Sequence, residues 1–256
     1  MPTDDPNEGG IAALVLNLDR SPERLEKVQA HLFAAGIEAD RVPGVDGAAL
    51  TDEERTLYDE GEALRLTGRP LTDGEIGCYL GHLRALHRAV DGDSPFALVF
   101  EDDIGPCPAL PVVSKAMTAI EGWEVANLAT EGRRDITWIA DVDAGGTVHR
   151  IGRAHYPPMN AWTLLWSRNG AARMLAEYGR VREPWDHAVR RFAQDRDSAL
   201  CVSPLPVGRP DGASDIDAAG NRTRVRGGWR YRWRKQIRLR GQKRLARQAR
   251  AKRREG

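Results

Sequence analysis

From Ile11 to Leu18 the chain is rich in Ile, Ala, Leu and Val without polar alternation, the pattern of a strand covered on both faces. Ser21-Pro22 then reads as a helix start, with serine as cap and proline in the first turn. Leu25, Val28, Leu32 and Ala35 follow at helical spacing, and Gly36 closes the segment. A short strand around Arg41 to Val45 completes a βαβ-like unit. Thr51 with Glu54, and Thr72 with Glu75, form capping boxes that each predict a helix. The second of these carries Ile76, Tyr79, Leu80, Leu83, Leu86 and Val90 on its apolar side. Phe96 to Phe100 predicts a buried strand that ends abruptly in three acids, and Val125 to Leu128 a weaker one. Ile136 to Val142 and Thr147 to Ile151 predict a hairpin around Ala144-Gly145-Gly146. A strand over Ala161 to Trp166, a helix from Ser167 to Gly179, a helix from Pro184 through Phe192 and a strand over Ala199 to Val202 complete the series. Alternating strands and helices predict an α/β fold with a mostly parallel central sheet and the hairpin as an antiparallel addition. Ligands of such sheets bind beyond the carboxyl ends of the strands. Asn17-Leu18-Asp19-Arg20 and the acid triplet both fall there.

Charge divides the chain. Sixteen of the 38 Lys and Arg lie between Arg222 and Arg254, with one acid, Glu255, just beyond; the remaining 22 bases face 36 acids, a balance of −14. We therefore expect a flexible N-terminus over residues 1–10, one domain over 11–216, and a basic tail over 217–256. Cys78, Cys107 and Cys201 are odd in number and contain no C-x-x-C pair, so their spacing indicates neither a disulfide framework nor a zinc site. The first ten residues lack a signal-peptide pattern, and the apolar run Ile11 to Leu16 is too short to span a bilayer. A cytoplasmic location is the expectation.

Candidate chemistry concentrates at a few points. Glu101, Asp102 and Asp103 follow an apolar strand directly, and three adjacent carboxylates repel one another unless a cation compensates. Hard oxygen ligands suit magnesium or manganese, and a diphosphate supplies further oxygens; a solvated acidic turn is the plainer alternative. On the predicted helix after Thr72, Glu75 and His82 point within about 20° of each other, with Cys78 nearby on that side. Gly77 and Gly81 cost helix stability and so mark a close approach by backbone or ligand. The capping box alone also accounts for Glu75, and a helix histidine such as His82 is commonly a satisfied one. Arg20 and Arg24 stand where the first strand gives way to its helix, a place that favours anions and phosphate forks. Asp186, opening a later helix, suits a general base, or simply the helix dipole.

These segments, in this order, resemble glycosyltransferase family 25, the lipopolysaccharide and lipooligosaccharide galactosyltransferase family that also includes collagen galactosyltransferases. The resemblance is carried by Leu16 to Arg20 with Arg24, Arg41 to Gly47, Leu71 to His82, Leu98 to Ile104 and Leu164 to Leu175. Weaker matches lie at Pro184-Trp185-Asp186 and Ser214-Asp215-Ile216. It implies a GT-A-like fold and inverting transfer of a hexose, often galactose, from a UDP-sugar to a lipopolysaccharide or other glycan acceptor. It also implies manganese as the metal, with magnesium the other candidate. Carried over residue by residue, Glu101, Asp102 and Asp103 match the metal and donor site. Asn17, Arg20, Glu75, Gly77 and His82 match positions lining the nucleotide pocket, with Arg24 beside them. Asp186 is the expected base and Asp103 the second catalytic acid. The chain departs from the family at Gly81, where serine is usual, and at Met159-Asn160-Ala161-Trp162, which replaces a glycine-threonine-tyrosine-like stretch.

The tail from Gly227 to Arg254 interleaves arginines with Trp229, Tyr231 and Trp233. That composition suits docking to an anionic membrane, at the inner face of the cytoplasmic membrane for an enzyme with a lipid-linked acceptor, or a solvated extension. A nucleic-acid-binding protein is the alternative from a different class, but it leaves the acidic body and every earlier motif unexplained. A transferase-like domain that binds donor without turnover is a third, and the retained acid triplet opposes it.

Overall fold

The computed structural model describes residues 10–132, 134–208 and 229–255. Its element order begins β1 (Ile11–Asn17), α1 (Pro22–Ala34), β2 (Asp40–Pro43), α2 (Asp52–Thr56), α3 (Glu60–Thr67), α4 (Asp73–Asp91) and β3 (Phe96–Glu101). It continues α5 (Leu110–Thr118), β4 (Val125–Asn127), β5 (Ile136–Ala144), β6 (Thr147–Ala154), β7 (Thr163–Ser167), α6 (Arg168–Tyr178), α7 (Trp185–Arg196), β8 (Ala199–Ser203) and α8 (Trp229–Glu255). The hydrophobic pattern anticipates all eight strands, and both capping boxes form with reciprocal bonds. Ser21 makes no side-chain cap bond; Pro22 alone marks the start of α1. Gly145 and Gly146, both with positive φ, turn the β5–β6 hairpin as two-residue loops prefer.

One eight-stranded sheet runs β2-β1-β3-β7-β4-β8-β6-β5. It is mixed, which corrects the expectation of a mostly parallel sheet. Among the described strands, β1–β2, β1–β3 and β4–β8 pair in parallel. The β7 strand runs antiparallel between β3 and β4, and the hairpin joins the sheet antiparallel through β6 and β8. Helix–strand alternation cannot encode this reversal: β6 ends beside the start of β8, and residues 155–162 then carry the chain to the opposite rim before β7 begins. The start of β7 therefore meets the ends of β3 and β4: Glu101 N–H bonds to Trp162 O at 2.9 Å and Leu128 N–H to Thr163 O at 3.1 Å.

Both faces of the sheet are buried, as the lack of alternation in β1 implies. Leu14, Leu16, Ala97 and Val99 point to the side covered by α4, α6 and α7. Val15, Leu98 and Phe100 point to the side covered by α1 and α5. At the hairpin end, buried His155 ties β5 to the end of α7: Nδ1 lies 2.6 Å from Asp197 Oδ1 and Nε2 lies 2.9 Å from Thr137 Oγ1. The α8 helix packs against α3 and α7, with Ala246 buried and Gln194 Nε2 donating to Gln242 O at 2.6 Å. Ser214-Asp215-Ile216 lies outside the described residues, as does the start of the tail. No helix among the described residues is long and apolar enough to cross a membrane.

Candidate functional site

A cleft of about 190 Å³ opens beyond the carboxyl ends of β1 and β3, walled by residues 44–48 and by one face of α4. Asn17, Arg20, Arg24, Gly77, His82, Glu101 and Asp102 all line it. These residues come from three separate stretches of sequence, and the parallel pairing of β1 with β3 puts two of those stretches side by side. Glu75, Asp103 and Asp186 are not among the lining residues.

Asn17, 3% exposed, is the hinge pin of this rim. Its Nδ2 donates to Ser21 O at 2.8 Å and to Asp102 Oδ2 at 2.7 Å, while its Oδ1 accepts from Arg41 Nε at 3.1 Å. Arg24 reaches from α1 to Asp102 Oδ1 at 3.2 Å and stands 3.9 Å from Asp103 Oδ2. The acid triplet is thus partly compensated by an arginine from within the chain, a partner that spacing could not reveal. Compensation is incomplete at Asp103. Its Oδ1 is buried without a hydrogen-bond partner, and burial, with Glu101 beside it, pushes the carboxyl up to about 6 against the pull of Arg24. Arg20 pairs with Asp46, which also caps the short turn after β2 through Ala48 N–H. Arg20 and Ala48 N–H together hold the Asp46 carboxyl below its ordinary range.

On α4, the two glycines and Glu75 separate in role. A Cβ on Gly77 would stand 2.5 Å from Val45 O and 2.8 Å from Gly47 N, so the glycine admits the backbone that forms the opposite wall. Gly81 meets nothing closer than 3.7 Å. Glu75 faces away from the cleft: it completes its capping box and takes a two-pronged bond from Arg69, at 2.5 Å and 2.7 Å. Burial works to raise this carboxyl, but Arg69 and Thr72 together hold it below its ordinary value. Glu75 and His82 share a side of the helix two turns apart and do not meet.

His82 is 1% exposed and stacks on Trp185 of α7, with centroids 4.8 Å apart and 12° between the planes. Its Nε2 lies 3.4 Å from Glu101 Oε1, and its Nδ1 is buried without a partner. Cys78, a turn earlier, brings its sulfur to the same corner; burial first, then Glu101, raises this thiol well above its ordinary value. All three cysteines are free.

Asp186 follows Trp185 at the start of α7, within electrostatic reach of Cys78. Burial raises its carboxyl, although it accepts backbone N–H bonds from His187 and Asn160. Asn160 adopts φ +70 and donates through its side chain to Thr130, and its carbonyl accepts from Asn127 at 2.7 Å. Trp166 is wholly core.

Residues 11–139 match the sequence model of Glycosyltransferase family 25 (LPS biosynthesis protein). The chain belongs to glycosyltransferase family 25. Every residue lining the cleft, from Leu16 to Asp102, falls inside that matched stretch, whereas Asp186 and α8 fall beyond it. A family 25 member of Anopheles gambiae is 38% identical over 178 residues, covering 64% of this chain and 28% of its own length. Procollagen galactosyltransferase 2 of Homo sapiens is 36% identical over 94 residues, covering 35% of this chain and 15% of its own length. A Bos taurus protein described as a probable inactive family 25 member is 28% identical over 173 residues, 63% of this chain and 28% of its own. The chain thus spans about a quarter of the length of the longer-matching relatives.

Proposed function

We propose that this chain is an inverting glycosyltransferase that moves a hexose, most simply galactose, from a UDP-sugar to a lipopolysaccharide or other glycan acceptor. The observation that carries this reading is the convergence of Asn17, Arg20, Arg24, His82, Glu101 and Asp102 on one cleft at the rim where α/β sheets bind ligands. Family membership supports transfer chemistry, and a relative described as a procollagen galactosyltransferase supports galactose. A GT-A-like organisation is the fold-level counterpart of the proposal.

The residues fit a manganese or magnesium ion. Glu101 and Asp102 present carboxylate oxygens to the cleft, and Asp103 keeps one buried oxygen without a partner, a deficit that a hard cation removes. When bound, such an ion supplies charge stabilisation to a departing diphosphate. The chain's own residues do the positioning. Asn17 and Arg24 hold Asp102 in a single orientation. Arg20, at the mouth and half exposed, supplies a guanidinium for phosphate oxygens. The cleft is smaller than the roughly 300–1,000 Å³ of a full small-molecule site, so it takes only part of a nucleotide sugar, the rest extending along the rim toward β7. Asp186 is the proposed base: burial lifts its affinity for a proton toward what taking one from an acceptor hydroxyl requires.

A panel of UDP-hexoses assayed for transfer with and without manganese tests the reading. Asp103→Ala should abolish transfer, by at least 10²-fold on the scale of lost electrostatic stabilisation, with circular dichroism unchanged. Undiminished turnover in that variant refutes the metal role. Donor binding without turnover, the alternative raised by the bovine relative, predicts UDP affinity with no product under any acceptor.

An anionic membrane surface is the proposed partner of α8. Arg240, Lys243, Arg244 and Arg247 are exposed and recur at helical spacing, and each basic residue near such a surface contributes about 1 kcal/mol. On this reading the enzyme works at the cytoplasmic face of a membrane. Flotation with anionic vesicles checks it: deletion of 229–255 should abolish binding, and salt-dependent RNA binding without transfer would instead favour the nucleic-acid class.

A further inference from the structure

Cys78, His82 and Glu101 offer a sulfur, an imidazole nitrogen and a carboxylate oxygen within 4.8 Å of one another. Cys78 and His82 stand four residues apart on one side of α4, a spacing that stacks them one turn apart. Glu101 closes the set from the end of β3. Charge-assisted N–H···O bonds run to about 2.7–2.9 Å, so the 3.4 Å between His82 Nε2 and Glu101 Oε1 is long for one. It matches instead the edge of a tetrahedron whose ligands sit about 2.0–2.1 Å from a central metal, which comes to about 3.3–3.4 Å. The imidazole is already immobilised against Trp185 and shielded from solvent. All three residues line the cleft, so a fourth coordination position opens into it.

We infer that Cys78, His82 and Glu101 form a site for a zinc-class divalent cation, and that its occupation closes the cleft to the nucleotide donor. One sulfur, one nitrogen and one oxygen with an open fourth position is a borderline-soft set suited to zinc; magnesium takes oxygen ligands and is a poor match for sulfur and imidazole. As the metal–sulfur bond forms, the Cys78 thiol releases its proton to solvent. The resulting thiolate and the Glu101 carboxylate together cancel the charge of the ion, while His82 binds as neutral imidazole. Sharing Glu101 between this ion and one at Asp102–Asp103 would set two dications on a single carboxylate, where they repel, and an ion seated here takes up part of a small cleft. The ion site stands on geometry alone. The closure of the cleft rests on the donor reading above.

Cobalt(II), followed by zinc, is the probe on the full chain kept reduced and stripped of metal. One equivalent of cobalt should produce a thiolate-to-cobalt charge-transfer absorption in the near ultraviolet and tetrahedral bands in the visible, and zinc should displace it. Cys78→Ser should abolish the charge-transfer band, and His82→Gln should weaken cobalt binding at least tenfold. Cys107→Ser and Cys201→Ser should retain the band, with circular dichroism confirming the fold of each variant. No such band in the folded wild type, or a band that survives in Cys78→Ser, overturns the site. UDP binding followed by calorimetry in magnesium tests closure: one equivalent of zinc should weaken it at least tenfold in the wild type and leave it unchanged in Cys78→Ser. Zinc that leaves UDP affinity unchanged, or tightens it, overturns the closure. Should UDP bind under no condition, the donor reading falls and closure with it, while the cobalt band still decides the ion site.

Discussion

His82 and His155 are the same side chain at the same burial, each 1% exposed and each facing an acid. Their surroundings differ in one respect. His155 has both ring nitrogens engaged, with Asp197 at 2.6 Å and Thr137 at 2.9 Å, and its backbone N–H bonds to Asp135. His82 has a loose 3.4 Å approach to Glu101 and an unpartnered Nδ1, and it borders an open cleft. The first arrangement stabilises the join between hairpin and α7; the second leaves binding capacity unused. Two carboxylates repeat the contrast. Glu75, doubly bonded by Arg69 and by its own cap, is held low, whereas Asp103, with a buried orphan oxygen, is pushed up to about 6. A buried polar group left unsatisfied costs free energy, so such deficits that gather at one rim mark where the fold yields stability to ligand binding.

Substitutions sharpen this comparison by moving stability in opposite directions. The largest effect is expected at Asp103. In the unfolded chain its carboxyl ionises near 3.8, and in the fold near 6. Between those values the folded state binds more protons, so stability falls as pH rises through that window and levels off above it. Asp103→Asn removes the slope. In metal-free buffer at pH 7 it should be more stable than the wild type by about 2–3 kcal/mol, a gain that vanishes below about pH 4. Urea unfolding across that range measures it, and a destabilised variant at neutral pH would break the contrast. His155→Leu should go the other way, losing about 1–3 kcal/mol by breaking the bonds of His155 to Asp197 and Thr137, with any transfer activity of the folded fraction retained. The smallest effect is expected at His82. His82→Phe keeps the stacking on Trp185 and deletes the orphan nitrogen, so thermal unfolding should shift by less than about 1 kcal/mol even as cation binding at that corner is lost. A loss as large as that of His155→Leu would make His82 a structural histidine after all.

Much of this molecule was legible in local pattern. Capping boxes at Thr51 and Thr72, the glycine pair at 145–146 and the apolar runs of β1 and β3 each encode backbone dihedrals or a periodicity within a few residues, and each element formed where its signal lay. The α3 and α5 helices were missed. One is a single eight-residue stretch behind an Asp59 cap, and the other has no side-chain cap at all. At the site, the strand-end positions of Asn17, Glu101 and Asp102, and that of Arg24 in the first turn of α1, followed from sequence. That Glu75 turns away, that Arg24 shares the charge of the acid triplet and that Asp186 comes within electrostatic reach of Cys78 did not.

The chain by itself determined its elements and which polar groups would sit at strand ends, because those are short-range consequences of propensity and spacing. Tertiary structure alone decided the direction of β7, the 85-residue reach from Asn17 to Asp102 and the meeting of Cys78 and His82 with Glu101. Whether a buried group is satisfied depends on what the rest of the fold brings to it, and no local pattern carries that information.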